Sequence, residues 1–141
     1  NSIKTKNTNG LKFYKGLVRD TVFIRQQEFC KNKNIFITDI VKEIQPKSFD
    51  KIYDNFPDTS IEKCATDFNT DGIIDTVKKH SPKHILLNFN PDSKSLPKLN
   101  RELERVKNNF PTLIRYVPST SGAAANTYED LVREWSQYFS T

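Results

Sequence analysis

The sequence has little that announces a function. It has no apolar run approaching the roughly 18 residues that would suggest a membrane span. The first ten residues, Asn1 to Gly10, are polar and lysine-bearing and lack the apolar centre of a signal peptide. The expectation is therefore a chain without a membrane partner, working inside the cell, in the cytoplasm. Cysteine is scarce. Cys30 and Cys64 are the only two, they form no CxxC pair, and no Cys/His spacing suits zinc. They read as small apolar packing residues or reduced thiols, although a single disulfide stays possible. There is no internal repeat and no low-complexity tract. No Ser/His/Asp order or nucleophile elbow is visible. No Gly-Lys-Ser/Thr follows a glycine-rich loop, so there is no Walker A motif.

What is present fits one domain. The 141 residues are 35% hydrophobic and 28% charged, enough for one core, and the expectation is a single α/β domain over 1–141 with 1–9 as a loose lead-in. The formal net charge is +5. A basic balance is compatible with nucleic acid through phosphate neutralisation. Because the Lys and Arg are interleaved with Asp and Glu, the charge alone is weak evidence, and a solvated mixed-charge surface is the plainer reading.

Leu11, Tyr14, Val18, Val22 and Phe29 recur near helical spacing and predict a helix over about 11–29, broken at Asn32 to Asn34. The run Ile35-Phe36-Ile37-Thr38-Asp39-Ile40-Val41 predicts a strand buried on both faces. A short helix over Ser48 to Phe56 follows, then an irregular or weakly helical stretch to Thr70. Ile73, Ile74 and Val77 give one face of a helix of about ten residues closed by Ser81-Pro82. Ile85 to Phe89 reads as the second strand and Asn90 to Ser93 as a turn. Leu96, Leu99, Leu103, Val106 and Phe110 trace a helix whose other side is charged, stopped by Pro111. Leu113 to Val117 reads as the third strand. Tyr128, Leu131, Val132, Trp135, Tyr138 and Phe139 give the stripe of a terminal helix, with Thr127 and Asp130 as its capping box. Strands joined through helices run parallel with right-handed crossovers. The fold class expected is thus α/β, a three-layer sandwich with a mostly parallel central sheet.

Ligands in such sheets bind outside the carboxyl ends of the strands. Asp39 with the Lys42–Pro46 loop, Asn88 to Asp92, and Pro118 to Asn126 occupy those ends. Asp39 is a carboxylate in an apolar strand, where it needs donors; it either binds a ligand's N–H groups or caps the following loop. Pro118 to Asn126 offers three hydroxyls, at Ser119, Thr120 and Ser121. Gly122 and Ala123 are small enough for a close backbone approach, and a helix N-terminus behind them suits phosphate. The alternative is a plain connecting loop. Asp67-Phe68-Asn69-Thr70-Asp71-Gly72-Ile73-Ile74-Asp75 resembles the front of a calcium loop, but the closing acid of its twelfth position is Lys78. It reads instead as a polar loop in which Asp71 caps the next helix, and no metal or other cofactor is expected. His80 and His84 flank Ser81-Pro82 at the end opposite the ligand edge and read as surface or structural histidines.

Four segments together resemble the uracil-DNA glycosylase superfamily, with the mismatch-specific and hypoxanthine-DNA glycosylase branches nearest. Gly10-Leu11-Lys12-Phe13-Tyr14 is similar to an aromatic-bearing helix start. Asn34 to Val41 resembles the strand that ends at the base pocket, and Ser81 to Asn88 the central strand with its terminal Asn. Tyr116-Val117-Pro118-Ser119-Thr120-Ser121-Gly122-Ala123 resembles the DNA-contacting loop. The order and spacing run from about residue 9 to 139, and only the Pro-Ser-Thr-Ser stretch is at all specific. The resemblance implies base excision, hydrolysis of the N-glycosidic bond of a damaged or mismatched base flipped from the duplex. Asp39 and Asn88 would line the base pocket, and Ser119, Thr120, Ser121, Gly122 and Ala123 would hold phosphate. The chain departs from the family in three places. Gly122 stands where the hypoxanthine branch has proline, and Phe89 follows Asn88 where glycine is usual. Nothing before Gly10 looks like the family's first strand with its water-activating Asn or Asp. The expectation is accordingly either a glycosylase or its C-terminal part, or a non-catalytic module of the same fold that binds nucleic acid or protein. A third reading is an α/β domain binding a small phosphorylated ligand.

Overall fold

The computed structural model describes residues 8–45, 58–89, 94–120 and 126–139, with side chains in the first helix described from residue 20 onward. The chain divides into two compact units, the first ending at Ile37 and the second beginning at Thr38.

The first unit carries α1, Thr8–Asn32. Its end follows from asparagine chemistry. Asn34 adopts the left-handed conformation with φ 54°, which asparagine tolerates better than most residues. The Asn34 N–H donates to the Lys31 carbonyl at 3.3 Å and the Ile35 N–H to the Cys30 carbonyl at 2.7 Å. These two bonds form a Schellman motif. Val22, Phe23, Ile24 and Phe29 of this helix are exposed, as are Phe36 at 73% and Ile37 at 78%.

The strand expected over 35–41 is not where the sequence placed it. Residues 35–40 have no regular structure, and β1 is Val41–Ile44. The Schellman motif turns the Ile35 N–H back onto the helix instead of out to a neighbouring strand, so the apolar run begins without a partner. The first strand partner appears only at Val41, opposite Phe68.

In the second unit α2, Asp58–Cys64, runs directly into β2, Ala65–Phe68. β2 pairs antiparallel with β1, the Gln45 N–H reaches the Cys64 carbonyl at 2.8 Å, and the Asn69 N–H reaches the Ile40 carbonyl at 2.8 Å. This strand was expected to be irregular: four residues, Ala-Thr-Asp-Phe, carry too little β-branched or alternating pattern to show one. α3, Thr70–His80, follows at once. Ser81 caps its end in the left-handed conformation, φ 46°, with its N–H on the Val77 carbonyl, before Pro82.

β3, Ile85–Leu87, α4, Pro97–Asn109, and β4, Ile114–Tyr116, form a crossover unit. β3 and β4 are parallel, with Ile85 opposite Ile114, Leu86 opposite Arg115 and Leu87 opposite Tyr116. The described strands thus make two two-stranded sheets, one antiparallel and one parallel, in a mixed α/β chain. α5, Tyr128–Ser136, closes the described chain and bears the expected capping box: the Thr127 hydroxyl accepts from the Asp130 N–H, and the Asp130 carboxylate accepts from the Thr127 N–H. Of its stripe, Leu131, Trp135, Tyr138 and Phe139 are half-buried, while Tyr128 and Val132 face out. The short helix expected over 48–56 lies outside the described residues. Among those residues no helix is long and apolar enough to cross a membrane.

The core gathers on α3 and α4. Ile74, Val77, Leu96, Leu99, Leu103 and Val106 are buried, with Ala65 and Val117 from the strands. Two polar arrangements hold it. α4 opens on Pro97 with no cap from its own flank. Glu62 of α2, itself buried, accepts the Lys98 N–H at 2.7 Å and the Leu99 N–H at 2.9 Å. A carboxylate from another helix thereby satisfies two of the unpaired donors at this terminus and complements its dipole. Between α3 and α4, the buried Thr70 hydroxyl donates to Glu102 at 2.7 Å, Arg105 donates to the same carboxylate at 2.8 Å, and Arg105 also reaches Asp71 at 2.6 Å. Burial pushes the Glu102 carboxyl up, but the bonds from Thr70 and Arg105 and the charges of Arg105 and Arg101 outweigh it and hold it below its usual value.

Candidate strand-edge site

The parallel pairing decides which of the expected site residues meet. The Val117 N–H donates to the Leu87 carbonyl at 2.9 Å, the last rung of the ladder. The next residue on β3 is Asn88, exposed. The next on β4 is Pro118, half-buried. The paired register ends at Leu87 and Tyr116 on both strands, so Asn88 and Pro118-Ser119-Thr120 leave the same carboxyl edge side by side. Two of the three segments expected there share it because a parallel pair in register has all its carboxyl ends on one side.

The departing chain is tied down. The Pro118 carbonyl accepts the Trp135 indole N–H at 3.0 Å, and the Ser119 carbonyl accepts the Asn126 side-chain amide at 3.3 Å. Thr120 is exposed. Ser121, Gly122 and Ala123 lie outside the described residues.

Charge is distributed unevenly around this edge. Lys107 of α4 sits 5.2 Å from the centre of the exposed Tyr116 ring and 2.8 Å from Glu104. Its ammonium is partly desolvated, which works against its charge, but the bonds to Glu104 and Tyr116 more than compensate and raise its pKa. Arg115 folds back onto the Thr112 and Ile114 carbonyls. The α5 N-terminus, expected to favour phosphate, instead begins with Glu129 and Asp130. The Thr127 hydroxyl, then the Thr127 N–H and Arg133, hold Asp130 ionised below the usual carboxylate range. Two acids and a satisfied cap already occupy the first turn, which removes the reason to expect an anion at this helix terminus.

Asp39 does not stand in the buried strand that its apolar neighbours predict. It is not a buried carboxylate in a strand; its side chain is exposed in the irregular segment before β1. The neighbouring Thr38 hydroxyl accepts the Asn69 side-chain amide at 3.1 Å, which places this segment beside the start of α3. The calcium-like stretch also dissolves. Asp67 belongs to β2 and pairs with Lys42 at 3.1 Å; that bond, then the one from the Phe68 N–H, lowers its pKa. Asn69, not Asp71, stands at the N-cap of α3, and Asp71 instead pairs with Arg105. Among the described residues no three His, Cys, Asp or Glu side chains gather around a common point. Cys30 and Cys64 are free, half-buried thiols. His80 ends α3 on the surface, and His84 packs edge-on against Tyr138, 5.3 Å between ring centres.

Three residues of this region gave no sign of their roles in the sequence. Trp135 reads as one more apolar residue of a helical stripe and Asn126 as loop polarity. Glu62 reads as one more surface acid. Each acts through a partner 7 to 37 residues away, beyond any local pattern. Compared with models of protein families, with curated proteins and with solved structures, the chain matches none.

Proposed function

We propose that this chain is a nucleic-acid-binding α/β module whose contact surface is the carboxyl edge of the β3–β4 pair. The observation that carries the reading is the juxtaposition of Asn88 with Pro118-Ser119-Thr120 at one strand edge, the place where open α/β sheets take their ligands. Hydroxyls and backbone at 118–120 suit phosphate oxygens, which position a protein on DNA without reading its sequence. The net charge of +5 supplies the long-range attraction. The reading carries with it a three-layer sandwich around a mostly parallel sheet, with β3–β4 as its centre.

The proposal is for binding first. The resemblance to uracil-DNA glycosylases favours a second activity at the same edge, release of a damaged or mismatched base, because Asn88 stands exposed where that family's central strand ends. That chemistry needs a group to orient and deprotonate water, and the resemblance assigns that role to no residue of this sequence, which is why binding comes first.

The test is fluorescence anisotropy with the full chain and labelled duplexes, undamaged or carrying uracil, hypoxanthine or a G·T mismatch, over a range of salt. Binding that weakens linearly in log–log form with salt is expected. Absence of binding at low salt overturns the proposal. Alkali-labile sites at one lesion would establish base excision; binding without them would leave a module that binds only.

A further inference from the structure

We infer that Trp135 is the positioning residue of the strand-edge site, fixing the direction in which the chain leaves β4 and so the presentation of Ser119 and Thr120. The inference rests on the reading of that edge as the nucleic-acid contact.

The geometry begins at Pro118. Leu113 and Val117 of the β4 chain bond to β3, so by the alternation of a parallel ladder the Pro118 carbonyl, the one backbone hydrogen-bonding group proline has, turns away from β3. The Trp135 indole N–H takes that carbonyl at 3.0 Å across 17 residues of sequence. The indole is itself fixed. It stacks on Phe139, 6.1 Å between ring centres and 22° between planes. Three residues beyond Trp135, Tyr138 packs against His84, the residue immediately before β3. One short C-terminal segment therefore touches the exit of β4 and the entry of β3, and its position is set by both strands.

The consequence is directional. All described peptides are trans, so in each peptide unit the C=O and the following N–H point opposite ways. With the Pro118 carbonyl held toward Trp135, the Ser119 N–H is turned away from α5. With the Ser119 carbonyl held by the Asn126 amide, the Thr120 N–H is turned away from Asn126. Two side-chain donors thus orient two successive peptides at the edge, and Trp135 supplies the less exposed of the two anchors.

Trp135 is also the sole tryptophan, so its emission reports on this one place. The experiment uses Trp135→Phe, which keeps a stacking ring and deletes the donor, with Asn126→Ala as a second variant at an exposed position away from the core. The readouts are amide hydrogen exchange at Ser119 and Thr120, affinity for a fluorescein-labelled DNA duplex, and the parent protein's tryptophan emission on adding unlabelled duplex. Faster exchange at Ser119 and Thr120 is expected in Trp135→Phe, with affinity roughly three- to tenfold weaker, the size of one lost hydrogen bond. Asn126→Ala is expected to act in the same direction, and parent emission to shift on binding. Unchanged exchange and unchanged affinity in both variants overturn the positioning role. If the parent fails to bind the duplex, the proposed function falls, and exchange at Ser119 and Thr120 still decides whether Trp135 positions this segment. If Trp135→Phe fails to fold, unchanged exchange and affinity in Asn126→Ala count against the arrangement and weaker affinity supports it.

Discussion

Ile35-Phe36-Ile37 and Ile85-Leu86-Leu87 are nearly the same three residues in chemistry, yet the first leaves Phe36 and Ile37 exposed without a strand and the second is β3, half-buried and paired. The difference lies in what surrounds them. Ile35 follows a helix whose Schellman motif recruits its N–H. Ile85 is followed by a crossover helix that returns β4 to its side in register. Apolarity makes a segment fit to be a strand; a partner delivered by the chain makes it one.

The contrast can be broken hardest from the core. Leu103→Ala removes a side chain that is 5% exposed on the crossover helix. The expected loss is about 2–4 kcal/mol of stability of the second unit, by cavity and transfer terms. Urea denaturation checks it, and amide exchange over 85–87 and 114–116 should rise together. A variant as stable as the parent would mean that α4 does not hold the parallel pair.

Glu62→Ala comes next. It strips both donors at the α4 start of their acceptor and should cost about 1–3 kcal/mol. The Lys98 and Leu99 amides should lose protection first in hydrogen exchange.

Acid acts through Glu102. Its folded-state pKa lies below the usual carboxylate value. Its contribution is therefore present above the ordinary glutamate range and is lost as pH falls through the lowered folded value. Thermal stability should decline on acidification, and Glu102→Gln should flatten that part of the decline. An equally steep decline in the variant would assign it to other carboxylates.

The smallest effect is expected at the exposed run. Ile37→Ser should change stability by no more than about 0.5 kcal/mol, since the side chain is 78% exposed. A loss as large as that of Leu103→Ala would show that Ile37 is covered in solution.

The second unit was largely legible in the sequence, for reasons the same comparison exposes. The stripe Leu96, Leu99, Leu103, Val106 gave α4, Ser81-Pro82 gave the end of α3, and Thr127 with Asp130 gave the cap of α5, because helix faces and caps are local patterns. β1 and β2 were misplaced or missed, since a four-residue strand is defined by its partner rather than by its own residues. Of the candidate site, Asn88 and Pro118 to Thr120 come together because two strands were correctly read as parallel. Asp39 reads as a buried strand carboxylate only if 35–41 is a strand, and the chain is irregular there until Val41. The indole of Trp135 and the carboxylate of Glu62 act across the fold, where no spacing rule reaches.

The most direct test of the strand-edge reading is a titration of the isotope-labelled chain with a DNA duplex, followed by backbone amide shifts. The largest changes are expected at Asn88 and at Val117, Ser119 and Thr120, with Val41–Ile44 and Ala65–Phe68 little moved. Changes centred on those two antiparallel strands, or none at any duplex concentration, would contradict it.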